Sequence, residues 1–83
     1  MLTVDVKLIA GELTPGIKSG EYSVPDECTV RDLLALCESE CGATIPPKNF
    51  PLMYPLFNGK PLSLDGVITS SGTMHLCRVV LGG

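Results

Sequence analysis

Residues 29–42 read TVRDLLALCESECG, and their period decides the fold. Val30, Leu33, Leu34, Cys37 and Cys41 recur at the spacing of one helix face. Arg31, Asp32, Glu38, Ser39 and Glu40 cover the other side. Thr29 is placed to accept the first free amides as an N-cap, and Asp32 completes a capping box. Gly42 follows the last periodic residue, where a left-handed C-terminal cap belongs. The spacing therefore predicts a helix over about 30–41.

On both sides of that helix the period falls to two. In LTVDVKLI (2–9), Leu2, Val4, Val6 and Leu8 share one face and Thr3, Asp5 and Lys7 the other, as in a half-buried strand. AGELTPGIKSG (10–20) is a loop, and EYSVP (21–25) a second strand that closes a hairpin. After the helix, the three prolines of ATIPPKNFP (43–51) forbid more helix. LMYPLF (52–57) reads as a strand that Pro55 demotes to an edge or interrupts. Asn58-Gly59 signals a tight turn. KPLSLDGVITSSG (60–72) holds a short strand or one helical turn. TMHLCRVVL (73–81) is the last strand, with Met74 and Leu76 on one face and His75, Cys77 and Val79 on the other. One amphipathic helix between two hairpin-like halves is an α+β arrangement. We expect a β-grasp: a mixed four- or five-stranded sheet, with the first and last strands parallel in its middle. The domain spans 1–81, and Gly82-Gly83 forms a flexible tail.

The 83 residues fit one small domain with a thin core. A net charge of −3, with no run of Lys or Arg, argues against nucleic acid as a partner. No apolar run approaches the length of a membrane span. The start, MLTVDVKLIA, alternates like a strand and does not read as a secretion signal, so the expected location is the cytoplasm. There the four cysteines are reduced. Cys37 and Cys41, four apart on the helix, are too distant for a disulfide and are expected in the core. Cys77, on an outward strand face, is the expected reactive thiol. A zinc site from Cys37, Cys41, His75 and Cys77 matches no common ligand spacing, so no metal or cofactor is expected.

Two motifs carry a family resemblance. TIPPKNFPLMYPLFNGKPL (44–62) is similar to the Ile-Pro-Pro segment and following Phe-Ala-Gly-Lys turn of ubiquitin, and GTMHLCRVVLGG (72–83) resembles its last strand and Gly-Gly end. The uncharged VVLGG end and TVRDLL at the helix start are closer to the bacterial sulfur carriers of that fold, the thiamine sulfur carrier and the small subunit of molybdopterin synthase. The resemblance implies a ubiquitin-like protein whose reactive group is the Gly83 carboxylate. Gly82 and Gly83, lacking Cβ atoms, let the tail thread a narrow active site. It also implies a docking patch of Leu56, His75 and Cys77, with Lys60 close by.

Three functions follow. An adenylating activating enzyme joins Gly83 to AMP, and the acyl group passes to targets as a protein modifier, which adds a conjugating enzyme and a protease as partners. Alternatively, Gly83 becomes a thiocarboxylate that sulfur-transfer enzymes use for thiamine, molybdopterin or tRNA. The third reading is a non-covalent interaction module. In each the chain is a monomer and not an enzyme.

Overall fold

The computed structural model describes residues 1–80. Strand β1 (Leu2–Leu8) is followed by a 3-10 turn (Gly11–Leu13), β2 (Gly20–Val24) and the short β3 (Cys28–Thr29). Helix α1 (Val30–Cys41) and a 3-10 segment (Pro47–Leu52) lead to β4 (Met53–Phe57), β5 (Lys60–Pro61), β6 (Val67–Ile68) and β7 (Gly72–Arg78). Five strands form one mixed sheet in the order β2-β1-β7-β4-β5, and β3 pairs with β6 apart from it. β1 and β7 lie side by side and parallel, with Val4 opposite Gly72 and Leu8 opposite Leu76. No helix among the described residues is long and apolar enough to cross a membrane.

Helix α1 begins and ends where the capping residues put it. Thr29 Oγ1 accepts from the Asp32 amide at 3.0 Å, and Asp32 Oδ2 accepts from the Thr29 amide at 3.2 Å. Two more free amides of the first turn are satisfied from the second half of the chain: Val30 N donates to Gly66 O and Arg31 N to Leu64 O. Gly42 ends the helix at φ 63°, a conformation that a Cβ disfavours. Val30, Leu33, Leu34 and Cys37 are fully buried against Val4 and Val6 of β1 and Met74 and Leu76 of β7. Each large side chain so buried contributes about 1.5–3 kcal/mol.

Several elements refine the sequence reading. The Asn58-Gly59 turn has φ 51° and 83°, both positive as a two-residue hairpin with the native twist requires. β4 is not itself the edge, because β5 covers part of it. Pro55 is tolerated there because its nitrogen faces away from β7. The bonds Val79 N to Leu52 O and Asn58 N to Thr73 O put the even-numbered β4 positions on the β7 side. Pro47–Leu52 is helical of the tighter 3-10 kind, with Pro47 at its start, where a missing amide proton is harmless. The last strand ends at Arg78, and Val79 and Val80, expected in it, lie beyond it.

Cys41 departs from its expected place. It is partly exposed at the last turn of α1, at the margin of the core and beside Tyr22 of β2, whereas Cys37, one turn earlier, is fully buried. The expected tail, Gly82 and Gly83, lies outside the described residues.

Thr14 is 1% exposed, and its hydroxyl has no hydrogen-bond partner among the described residues. Its backbone groups are used, by Gly11 O and the Ile17 amide. An unpaired buried hydroxyl is unfavourable, whereas an apolar group of the same shape is not. Thr14→Val should therefore leave stability unchanged or raise it by up to about 1 kcal/mol in urea unfolding. A loss of that size instead would show that the hydroxyl is satisfied in solution.

Candidate functional site

The outer face of the sheet is set by the parity of β7. Met74 and Leu76 are fully buried beneath α1, so Thr73, His75 and Cys77 face the opposite way, each half-buried. The registers extend that parity sideways. His75 stands between Lys7 of β1 and Leu56 of β4. Cys77 stands opposite Tyr54. Leu56, His75 and Cys77 are thus brought together on one surface, as direct or diagonal neighbours, with Leu56 half-buried. Lys7 on this face pairs with Asp5 at 3.5 Å.

Lys60 is placed differently. The two-residue turn makes Lys60 the partner of Phe57, whose side chain packs against the core. Cross-strand partners share a face, so Lys60 leaves the edge on the side away from Leu56 and His75. Pro61, the partner of Leu56, takes the place beside the patch. Tyr54, 44% exposed, belongs to the surface and was not among the expected residues. Its even spacing from Leu56 is the signal that could have found it. Ile9, just past β1 and 64% exposed, adds apolar area where its amide and that of Ala10 bond Leu76 O.

The strand carrying this face also leads to the tail. Val79 N donates to Leu52 O at 2.7 Å, and the Arg78 guanidinium lies 3.6 Å from the Glu12 carboxylate. Both contacts fix the direction in which the chain leaves β7. The ion pair is exposed and adds little stability. Gly82 and Gly83, the expected reactive residues, follow beyond the described part.

The cysteines do not converge. Cys37 sits beneath the helix and Cys77 on the far side of the sheet, so the four residues weighed for zinc are not gathered. Burial pushes the Cys37 thiol up to about 12. Burial also raises Cys28, with the Asp32 carboxylate adding to it. Cys41 moves the other way. Its sulfur lies 3.2 Å from the Tyr22 hydroxyl and accepts from the Lys18 amide at 3.4 Å, and these bonds, Tyr22 foremost, hold its thiol below the ordinary range. Tyr22 itself is raised, by burial first and then by Cys41. The Tyr22 proton also reaches Lys18 O at 2.6 Å. One proton serves one acceptor at a time, so Lys18 O and the Cys41 sulfur compete for it.

No family model matches the chain, and no curated protein matches it. Solved structures do. A Pyrococcus furiosus protein assigned as molybdopterin converting factor, subunit 1, superposes with a TM-score of 0.65 at 19% identity, over 96% of this chain and 100% of the other. SAMP1 from Haloferax volcanii superposes with a TM-score of 0.64 at 19% identity, over 98% of this chain and 99% of the other. The five-stranded mixed sheet packed on one main helix is the ubiquitin-like β-grasp fold of both.

Two outcomes test these placements. Leu56→Asp should lower stability by no more than about 1 kcal/mol, the range of a cross-strand pair at a half-buried position. Unfolding of this variant in a thermal melt would instead make Leu56 a core residue. For Cys41, a lowered value means the thiolate's stabilising contribution is complete above the ordinary thiol range and fades as pH falls through the lowered value. Alkylation of Cys41 by iodoacetamide should thus reach half its maximal rate below the ordinary thiol pH. In Tyr22→Phe that midpoint should rise. An unmoved midpoint would remove Tyr22 as the cause, and alkylation of Cys37 at the rate of Cys41 would contradict its burial.

Proposed function

We propose that this chain is a ubiquitin-like protein whose Gly83 carboxylate, free or freed by processing, is activated by adenylation and then transferred to targets as a protein modifier. What supports the reading is the fold together with a sequence that runs to Gly82-Gly83 shortly after the last strand. The β-grasp domain superposes nearly end to end on both similar structures, and Gly82-Gly83 comes five residues past its central strand, counted from Arg78 to Gly83.

The chemistry is acyl activation. A Gly83 carboxylate oxygen attacks the α-phosphorus of ATP, and pyrophosphate leaves. A thiolate of the activating enzyme then attacks the acyl carbon, and AMP leaves. A target amine displaces that thiolate and loses a proton, leaving an amide bond. This chain supplies the acyl group and the surface that the activating enzyme holds. His75 and Cys77, two apart on a strand, lie about 7 Å from each other along it, too far for a nucleophile–base bond. In this reading the chain is substrate and carrier. The cytoplasm, with ATP and reduced thiols, suits that chemistry.

A second reading has its own observation. Val79, Val80 and Leu81 leave the tail uncharged, and one similar structure is assigned as a molybdopterin converting factor subunit. These favour a sulfur carrier. Here hydrosulfide attacks the acyl carbon of the adenylate, AMP leaves with the bonding electron pair, and Gly83 becomes a thiocarboxylate for thiamine, molybdopterin or tRNA sulfur transfer. Both readings share the adenylate.

Pyrophosphate exchange with the cognate activating enzyme tests that shared step. Deleting Gly83 should abolish exchange while binding to the enzyme survives. Leu56→Asp should keep the terminus intact yet weaken binding by about 2 kcal/mol, as loss of a central apolar contact does. Exchange that persists without Gly83 would leave the non-covalent interaction module as the better reading.

A further inference from the structure

Two of the residues weighed for zinc do stand together. Cys37 and Cys41 lie four apart on one stripe of α1, so their Cβ atoms are about 5–6 Å from each other. That is too wide for a disulfide. It is not too wide for a metal ion held between the two sulfurs. Two metal–thiolate bonds of about 2.3 Å each, the zinc value, span about 4.6 Å end to end.

The third group of this cluster is Tyr22. Its hydroxyl lies 3.2 Å from the Cys41 sulfur, and the Lys18 amide donates to the same sulfur at 3.4 Å. Both contacts aim the Cys41 side chain, as outer-shell groups orient a metal ligand. Burial pushes the Cys37 thiol up, and the Tyr22 hydroxyl offsets part of that rise, so the phenol acts on both thiols. Access to the two sulfurs is unequal. Cys37 is fully buried, whereas Cys41 is partly exposed at the margin of the core. A cation arriving from solvent meets Cys41 first and finds Cys37 one turn deeper.

We propose that Cys37 and Cys41 bind a single Cu(I) ion as a two-coordinate bis-thiolate site on α1. Ligand type and number select this ion. Thiolate sulfur is soft and suits Cu(I) or zinc. Zinc takes four ligands, and no third His, Cys, Asp or Glu joins the pair among the described residues. Cu(I), a closed-shell monovalent ion, is satisfied by two.

Binding forms two copper–sulfur bonds and releases one proton from each thiol to water. No electron moves, and copper stays Cu(I). The centre carries one net negative charge in place of the two of a bare thiolate pair, which lessens the cost of burying the Cys37 sulfur as a thiolate. The Lys18 amide and the Tyr22 hydroxyl face that charge as donors, and the Lys18 ammonium favours it. The exposed Glu40 carboxylate works against it. Cys77 and Leu56 take no part, and the site does not depend on which acyl chemistry Gly83 undergoes.

The full chain is titrated without oxygen against Cu(I), supplied as its acetonitrile complex, in competition with the chromophoric chelator bathocuproine disulfonate. One equivalent should bind per chain, X-ray absorption at copper should report two sulfur neighbours, and gel filtration should show no change of size. NMR shifts should centre on Lys18, Tyr22, Cys37 and Cys41 and leave Cys77 in place. Cys28→Ala combined with Cys77→Ala should bind copper as the parent does. Cys41→Ala, at the margin of the core, should melt as the parent does and bind at least tenfold more weakly. If it melts lower, the sulfur count and the NMR shifts of the wild-type chain decide. No binding in competition with the chelator, unchanged binding by Cys41→Ala, or loss of binding in the Cys28 and Cys77 double variant would each overturn the proposal. So would three or more sulfur neighbours, a copper-linked dimer, or displacement of copper by an equal concentration of zinc.

Discussion

The parallel pairing of β1 with β7 is the constraint on which the rest of the structure depends. Two parallel neighbours cannot be joined by a tight turn, so the intervening chain must cross the sheet, and α1 makes that crossing. The pairing joins the first and last strands, so neither half of the chain has a complete sheet without the other. β2 attaches outside β1, and β4 with β5 outside β7. The same register also fixes every surface. With Val6 opposite Met74, both point under the helix, and Lys7 with His75 points out. A slip of one residue would exchange the core and the outer face.

Direction matters as much as parity. Because β1 and β7 run the same way, the chain leaves β7 at the end remote from Met1. The Tyr54, Leu56, His75 and Cys77 surface and the exit past Arg78 thus occupy separate places on a small body. An acyl carrier benefits from that separation. Its terminus has to enter an active site while the domain is held from outside, and a held domain limits the freedom that must be lost when the tail is threaded. The buried thiol of Cys37 lies beneath the helix, away from these surfaces. Cys41, bonded to Tyr22 and Lys18, ties the end of α1 to the start of β2.

Much of this was legible from residue order. The helix could be read because its apolar period, Thr29 with Asp32, and Gly42 all agree. The turn at Asn58-Gly59 and the inward Met74 and Leu76 follow from equally local rules. What escaped depends on partners distant in sequence. Cys41 keeps its helical phase, yet it sits at the margin of the core, where its sulfur meets the Tyr22 hydroxyl and the Lys18 amide. The resemblance put Lys60 beside Leu56, but the turn's two-residue length paired it with Phe57. The β3–β6 pair joins two-residue segments far apart in sequence, too short to show any period. The motifs near 44–62 and 72–83 pointed to the fold that the superpositions bear out, while the roles of Gly82 and Gly83 rest on chemistry.

Intact mass spectrometry of the protein isolated from its own cells tests the central claim most directly. The account predicts that Gly83 is found altered at its carbonyl carbon. Conjugates carrying the chain's C-terminus on a target amine mark the modifier, and a gain of about 16 Da at Gly83, oxygen replaced by sulfur, marks the sulfur carrier. A terminus that carries only an unmodified carboxylate, in cells where the cognate activating enzyme is present and active, would contradict it.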